Sequence, residues 1–122
     1  MRSLLAAAGV IALLSTACGG TGSSGNQPAG STKVTMTEFK YDPDTITVAH
    51  GKAVFFLVNA GSAAHDMVIR DGSNNNVAAS ELVQAGDSAE FDVDNLAAGE
   101  YTFYCDQPGH EASGMHGKLT VT

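Results

Sequence analysis

From Lys33 to Thr122 the chain is written in short β-branched and aromatic runs, each cut by Gly, Asp, Asn or Pro before a helix could grow. No stretch there supports a long helix. Strands are expected over 34–39, 45–48, 53–59, 65–69, 77–82, 88–93, 100–105 and 118–122. About eight short strands in roughly 90 residues fit an all-β fold, a two-sheet Greek-key β-sandwich. A domain of that size lies near the lower end of comfortable stability, and a bound ion would add to it.

Side-chain alternation assigns the faces. Phe91 and Val93 alternate with Glu90, Asp92 and Asp94, so the carboxylates read as the wet face of a strand. The run Val54-Phe55-Phe56-Leu57-Val58 is apolar on both faces, which places its strand centrally. Tyr101, Phe103 and Cys105 share one face by the two-residue period, and that face is expected to point inward. The polar run from Asp71 to Asn76 is turn chemistry; it lacks the glycine and glutamate spacing of an EF-hand.

Chemistry concentrates in FYCDQPGHEASGMHGKL, residues 103–119, where Cys105, His110 and Met115 lie in one loop between two strand-like runs. A thiolate, an imidazole and a thioether are copper donors, and a second imidazole would complete a blue-copper set with a weak axial methionine. His65 is the candidate, at the head of the apolar run HDMVI. Each residue taken singly has an ordinary reading: His65 as a surface or core histidine, Cys105 as a small buried hydrophobe, Met115 as core filler. Their joint spacing favours the metal. Pro108-Gly109 restricts the loop so that His110 turns back toward Cys105, and hydrogen bonds from outside the ligand set must orient each ring. His50 and His116 read as surface residues, with His116 as the alternative axial donor to Met115.

The segments VFFLVNAGSAAHDMVI and YTFYCDQPGHEASGMHGKLTV resemble the two halves of a cupredoxin copper site, and the likeness runs from Val34 to Thr122. The loop, Cys with four residues to His and four more to Met, is similar to those of auracyanin, rusticyanin and plastocyanin-like proteins. The resemblance implies one type 1 Cu ion held by His65, Cys105 and His110 in the equatorial plane and Met115 on the axis. It also implies one-electron transfer without bond chemistry, and so a carrier rather than an enzyme. Two positions depart from the family pattern. Asp66 stands where asparagine is common and Asp106 where serine or threonine is common. If these carboxylates face the thiolate they favour Cu(II) and lower the potential; if they face solvent the change is innocuous.

The N-terminus reads differently from the rest. Residues 1–17 have a short positive start and an apolar run from Leu4 to Leu14, the pattern of an export signal and too short for a membrane span. Leu14-Ser15-Thr16-Ala17-Cys18 resembles a bacterial lipoprotein cleavage box, although Ser15 holds the place where leucine is usual. Lipidation of Cys18 is expected, with an ordinary signal peptide and a Cys18–Cys105 disulfide as the alternatives. Residues 18–32 then form a flexible lipid-anchored linker ahead of a domain over 33–122. The protein is accordingly expected on the extracytoplasmic side of the cell membrane or in the periplasm.

A net charge of −7 with no basic run argues against nucleic acid. Redox proteins (a cytochrome, oxidase or reductase) are the expected partners of a monomer, docking at the edge of His110 through a rim of Pro108, Ala112 and Gly114. A copper-storing protein and a metal-free scaffold of the same fold are the competing readings. Four histidines in all cannot supply the additional copper sites of a multicopper enzyme.

Overall fold

The structure, a computed structural model, describes residues 25–122. The expected leader over 1–17, the lipidation site Cys18 and the start of the linker lie outside the described residues. Residues 25–31 lead into the domain through a turn in which Ser31 Oγ donates to Pro28 O at 2.6 Å, and Thr32 already belongs to the first strand.

Nine strands are present among the described residues: β1 Thr32–Thr37, β2 Lys40–Asp42, β3 Thr45–Val48, β4 Gly51–Asn59, β5 Val68–Arg70, β6 Asn76–Ala79, β7 Ser88–Leu96, β8 Gly99–Tyr104 and β9 His116–Val121. They form two sheets, ordered β2-β1-β4-β7 and β3-β9-β8-β5-β6. The all-β Greek-key sandwich expected from the strand pattern is the fold observed. Two pairs, β1 with β4 and β3 with β9, are parallel. The remaining neighbours run antiparallel.

The expected strand over 34–39 ends at Thr37, and a further strand, β2, follows it at Lys40. Thr37 pairs with Lys40, so the chain reverses through Glu38 and Phe39 alone. That hairpin was hidden because its turn lacks the Asn-Gly or Gly-rich signature of a two-residue reversal. The strand expected at 65–69 begins only at Val68, since His65 makes an isolated bridge to Val83 instead of joining a ladder. The strand expected at 88–93 runs on to Leu96, with a register shift opposite Gly51–Ala53.

The core fills the space between the sheets. Val34 and Met36 of β1, Phe55 and Leu57 of β4, Ile69 of β5, Phe103 of β8 and Leu119 of β9 are all fully buried. Burial of one such side chain contributes about 1.5–3 kcal/mol. β4 is central in its sheet, as its double-sided apolar run implied, but its outer face is covered unevenly: Phe56 is buried, Val54 and Val58 half-buried. Tyr41 meets Phe103 edge-on with centroids 5.0 Å apart. The Phe103 ring crosses β9 where Gly117 leaves room, since a Cβ there would lie 2.3 Å from Phe103 Cζ and 2.4 Å from Asp44 O. Glu90, Asp92 and Asp94 are exposed along β7, the wet face read from the alternation.

Candidate metal centre

The expected ligands come from two connections, β4–β5 and β8–β9. His65 is held by its own backbone: its N–H donates to Val83 O at 3.0 Å and its carbonyl accepts Val83 N–H at 2.8 Å. The turn before it is braced by the buried amide of Asn59, which donates to Ala63 O and Val83 O at 2.8 Å each and accepts Gly61 N–H at 2.9 Å. Without that amide the turn would bury unpaired peptide groups. Glu38 braces it from outside, Oε1 accepting Ser62 N–H and Ala63 N–H at 2.6 Å each.

Cys105 is the first residue past β8, and its N–H donates to Met115 O at 3.2 Å, which closes the second connection. Within it His110 N–H donates to Gln107 O at 3.0 Å and Met115 N–H to His110 O at 3.1 Å. Gly109 has φ 80°, a left-handed backbone that glycine adopts without strain. The two connections are joined by Asp66, whose Oδ1 accepts Asp106 N–H at 2.9 Å, while Tyr41 donates its hydroxyl to Asp66 O at 2.5 Å.

Those restraints bring the donors together. Cys105 Sγ lies 3.9 Å from His65 Nδ1 and 3.5 Å from His110 Nδ1. The ligand atoms of the three residues all lie within 4.8 Å of one another. Metal bonds of about 2.0–2.3 Å, the zinc values for imidazole nitrogen and thiolate sulfur, set such donors roughly 3–4 Å apart. One ion therefore fits among them. His65, Cys105 and Met115 are fully buried, whereas His110 is half-buried. Met115 is tied by its backbone to both Cys105 and His110, and its buried side chain belongs to the same core as Cys105. His116, one residue on, is exposed and pairs with Tyr104; His50 is exposed and bonds through Nδ1 to Thr122 O at 2.8 Å.

Burial sets the electrostatics. It lowers the pKa of His65, opposed by the Glu38 carboxylate and aided by His110, so the ring is neutral and ready to donate. It pushes the Cys105 thiol up to about 11, against backbone N–H groups that favour the thiolate. It also raises Asp66, with the Asp106 side chain adding to the effect. The two departures from the family pattern thus separate. Asp66 is 6% exposed and sits against the ligand loop, whereas Asp106 is exposed.

Besides Asn59 and Tyr41, four further residues that shape the centre were not singled out from the sequence. Glu38 and Phe39 form the β1–β2 turn, and Phe39 stands edge-on to His110 with centroids 5.0 Å apart. Arg70 grips Glu111, next to the ligand His110, through Nη2 to Oε2 at 2.5 Å and Nη1 to Oε1 at 3.2 Å. The only signal for Phe39 was its apolar character between polar neighbours; the Arg70–Glu111 pair is separated by 41 residues and had none.

The model of the Cupredoxin-like domain family matches residues 4–121. The copper-resistant cuproprotein CopI of Rubrivivax gelatinosus is 32% identical over 106 residues, covering 73% of this chain and 64% of its own, so the chain spans less than two thirds of that relative. Plastocyanin of the fern Dryopteris crassirhizoma is 38% identical over 94 residues, covering 68% of this chain and 88% of its own. In fold the chain is similar to dithionite-reduced auracyanin of Roseiflexus castenholzii, with TM-score 0.69 and 24% identity over 79% of this chain and 99% of that one. His65, Cys105, His110 and Met115 form a type 1 copper site in this setting. Matched along nearly its whole length by the family model, and folded as that family folds, the chain belongs to the cupredoxins.

Proposed function

We propose that this protein is a one-electron carrier working between redox proteins outside the cytoplasmic membrane. The observation that carries the reading is the convergence of Cys105 Sγ and two imidazole Nδ1 atoms within 4.8 Å, with one of the rings, His110, reaching the surface. Copper held there supplies one-electron chemistry, because a Cys-His-His set with a thioether suits both Cu(I) and Cu(II). The chain's task is to keep that donor set fixed. His65 is held by its bridge to Val83, and Cys105 by its bond to Met115 and its place at the end of β8. Burial of His65, Cys105 and Met115 excludes water from three sides of the site.

Electrons enter and leave at the His110 edge, the shortest route through the protein. Pro108, Ala112 and Gly114 are exposed around it, and Phe39, 40% exposed, extends the apolar rim. A cytochrome, oxidase or reductase docks on that rim. The net charge of −7 favours a basic partner face and speeds encounter with it. The lipoprotein-like sequence before Cys18 and the Gly/Ser-rich segment after it support a monomer tethered to the membrane by lipid.

The name of the CopI relative favours a second reading, copper handling in copper resistance, with the same ligands and no electron partner. Optical and EPR spectra of the Cu(II)-loaded protein and its Cys105→Ser variant, with voltammetry on both, separate the two. The carrier reading expects an intense thiolate charge-transfer band, reversible one-electron reduction, and loss of the band in the variant. Copper bound without that band, or without reversible reduction, would sink it.

A further inference from the structure

The Nε2 nitrogen of His65 is fully buried and makes no close hydrogen bond among the described residues. A polar atom does face it: Glu38 Oε1 lies 3.4 Å away. That oxygen is already fixed, since Ser62 N–H and Ala63 N–H both donate to it at 2.6 Å. Glycine at position 61 leaves the space for it; a Cβ there would stand 2.6 Å from Oε1 and 2.9 Å from Oε2. The backbone of His65 is pinned by its bridge to Val83, so ring rotation is the freedom left to set. Its two nitrogens face opposite neighbours, Nδ1 toward Cys105 Sγ and Nε2 toward Glu38.

We infer that Glu38 is a positioning residue for the metal centre: its carboxylate accepts the Nε2–H of His65 and so keeps the Nδ1 lone pair turned toward Cys105. A neutral imidazole carries one proton, and which nitrogen holds it is decided by the bond the other side makes. A carboxylate at Nε2 selects the tautomer that ligates through Nδ1 and makes that nitrogen a stronger donor. The β1–β2 turn thereby touches both imidazoles, Glu38 at His65 and Phe39 at His110. A turn read from the sequence as the tail of a strand becomes the brace of the ligand pair. The inference rests on copper being held at His65 Nδ1, as proposed above, and extends it to the residue that prepares that nitrogen.

Two variants test it, each read with and without copper. In the metal-free, ¹⁵N-labelled protein, long-range ¹H–¹⁵N spectra of the imidazoles are expected to show His65 as the Nε2–H tautomer with a slowly exchanging proton. Glu38→Ala mixes the tautomers and exposes that proton to fast exchange. Glu38→Gln, whose amide oxygen still accepts, keeps the tautomer. Loaded with copper, Glu38→Ala binds Cu(II) about tenfold or more weakly. Both variants shift the Cu(II)/Cu(I) binding ratio toward Cu(I), a tenfold shift corresponding to 59 mV for one electron. A purely structural brace leaves the Glu38→Gln potential unmoved. An unchanged His65 tautomer in Glu38→Ala, or an unmoved potential in Glu38→Gln, overturns the inference. Lack of the blue band in the unmutated protein would instead remove the copper reading, and the metal-free spectra would still decide the role of Glu38.

Discussion

Asp66 occupies the position where the family usually has asparagine, and it makes the bond an asparagine would make: Oδ1 accepts Asp106 N–H at 2.9 Å. What the carboxylate adds is charge beside a thiolate ligand. Asp66→Asn keeps the acceptor and removes that charge, so the midpoint potential is expected to rise by tens of millivolts, a fewfold to tenfold change in the Cu(II)/Cu(I) ratio. Asp106→Asn, at an exposed position, shifts it far less because solvent screens the charge. Voltammetry of the two variants beside the parent decides between them; equal shifts would mean that burial of Asp66 does not set its influence. Cys105 makes a second claim at this scale. Burial pushes its thiol up to about 11, so below that pH the metal-free protein carries the proton and copper must displace it. Between about pH 7.5 and 9.5, above the ordinary imidazole range, Cu(II) affinity should rise about tenfold per pH unit, with one proton released per ion. Competition with a chelator across that window measures the slope. A flat line would place the thiol well below the value its burial implies.

Among the elements, the ligand loop depends on a clamp from the neighbouring strand. Arg70, at the end of β5, holds Glu111 bidentately and lays its guanidinium 4.4 Å from the centroid of Tyr104. With side chains 26% and 35% exposed, the pair is partly screened, and its coupling in a double-mutant cycle of Arg70→Met and Glu111→Gln is expected at about 0.5–1 kcal/mol. The larger effect is on the loop: Glu111→Gln should speed copper release to a chelator severalfold while leaving the blue band in place. An unaltered release rate would show that the backbone bonds of 107–115 hold His110 unaided. The clamp also marks the limit of what the sequence displays. Cys105, His110 and Met115 were legible because they sit in one loop at ligand spacing, and His65 because it heads an apolar strand-like run. Glu38, Phe39 and Arg70 act through tertiary contacts from chain segments far from that loop, and nothing local marks them. The same holds for the strands. Period-two alternation located β7 and β8, and a run apolar on both faces located β4, but the β1–β2 hairpin turns through Glu-Phe without a turn signature, and His65 leaves the ladder to bridge Val83. Pairing partners decided both, and pairing is not written in local periodicity.

At the scale of the whole molecule, the donors of the centre are held by the backbone of the sandwich itself. His65 hangs on a backbone bridge and Cys105 on the end of β8, Asp66 ties the two connections to each other, and Asn59 and Glu38 brace the turn before His65. The fold therefore carries most of the ordering entropy that a metal would otherwise have to offset, and binding adds to stability by mass action alone. At free copper one hundred times the dissociation constant the gain is about 2.7 kcal/mol, which for a domain near 100 residues raises the melting temperature by roughly 10–20 °C. Cys105→Ser, which removes the strongest donor, should lose most of that gain. If the sandwich preorganises the site, hydrogen exchange at Val83 and His65 and along β4, β7 and β8 should be protected in the metal-free protein nearly as well as in the loaded one, with the difference confined to 106–114. Calorimetry of both forms, read with exchange at those amides, tests the two halves of the argument together. Unprotected strands without copper would mean that the ion folds the domain, and rigidity would then belong to the metal rather than to the chain.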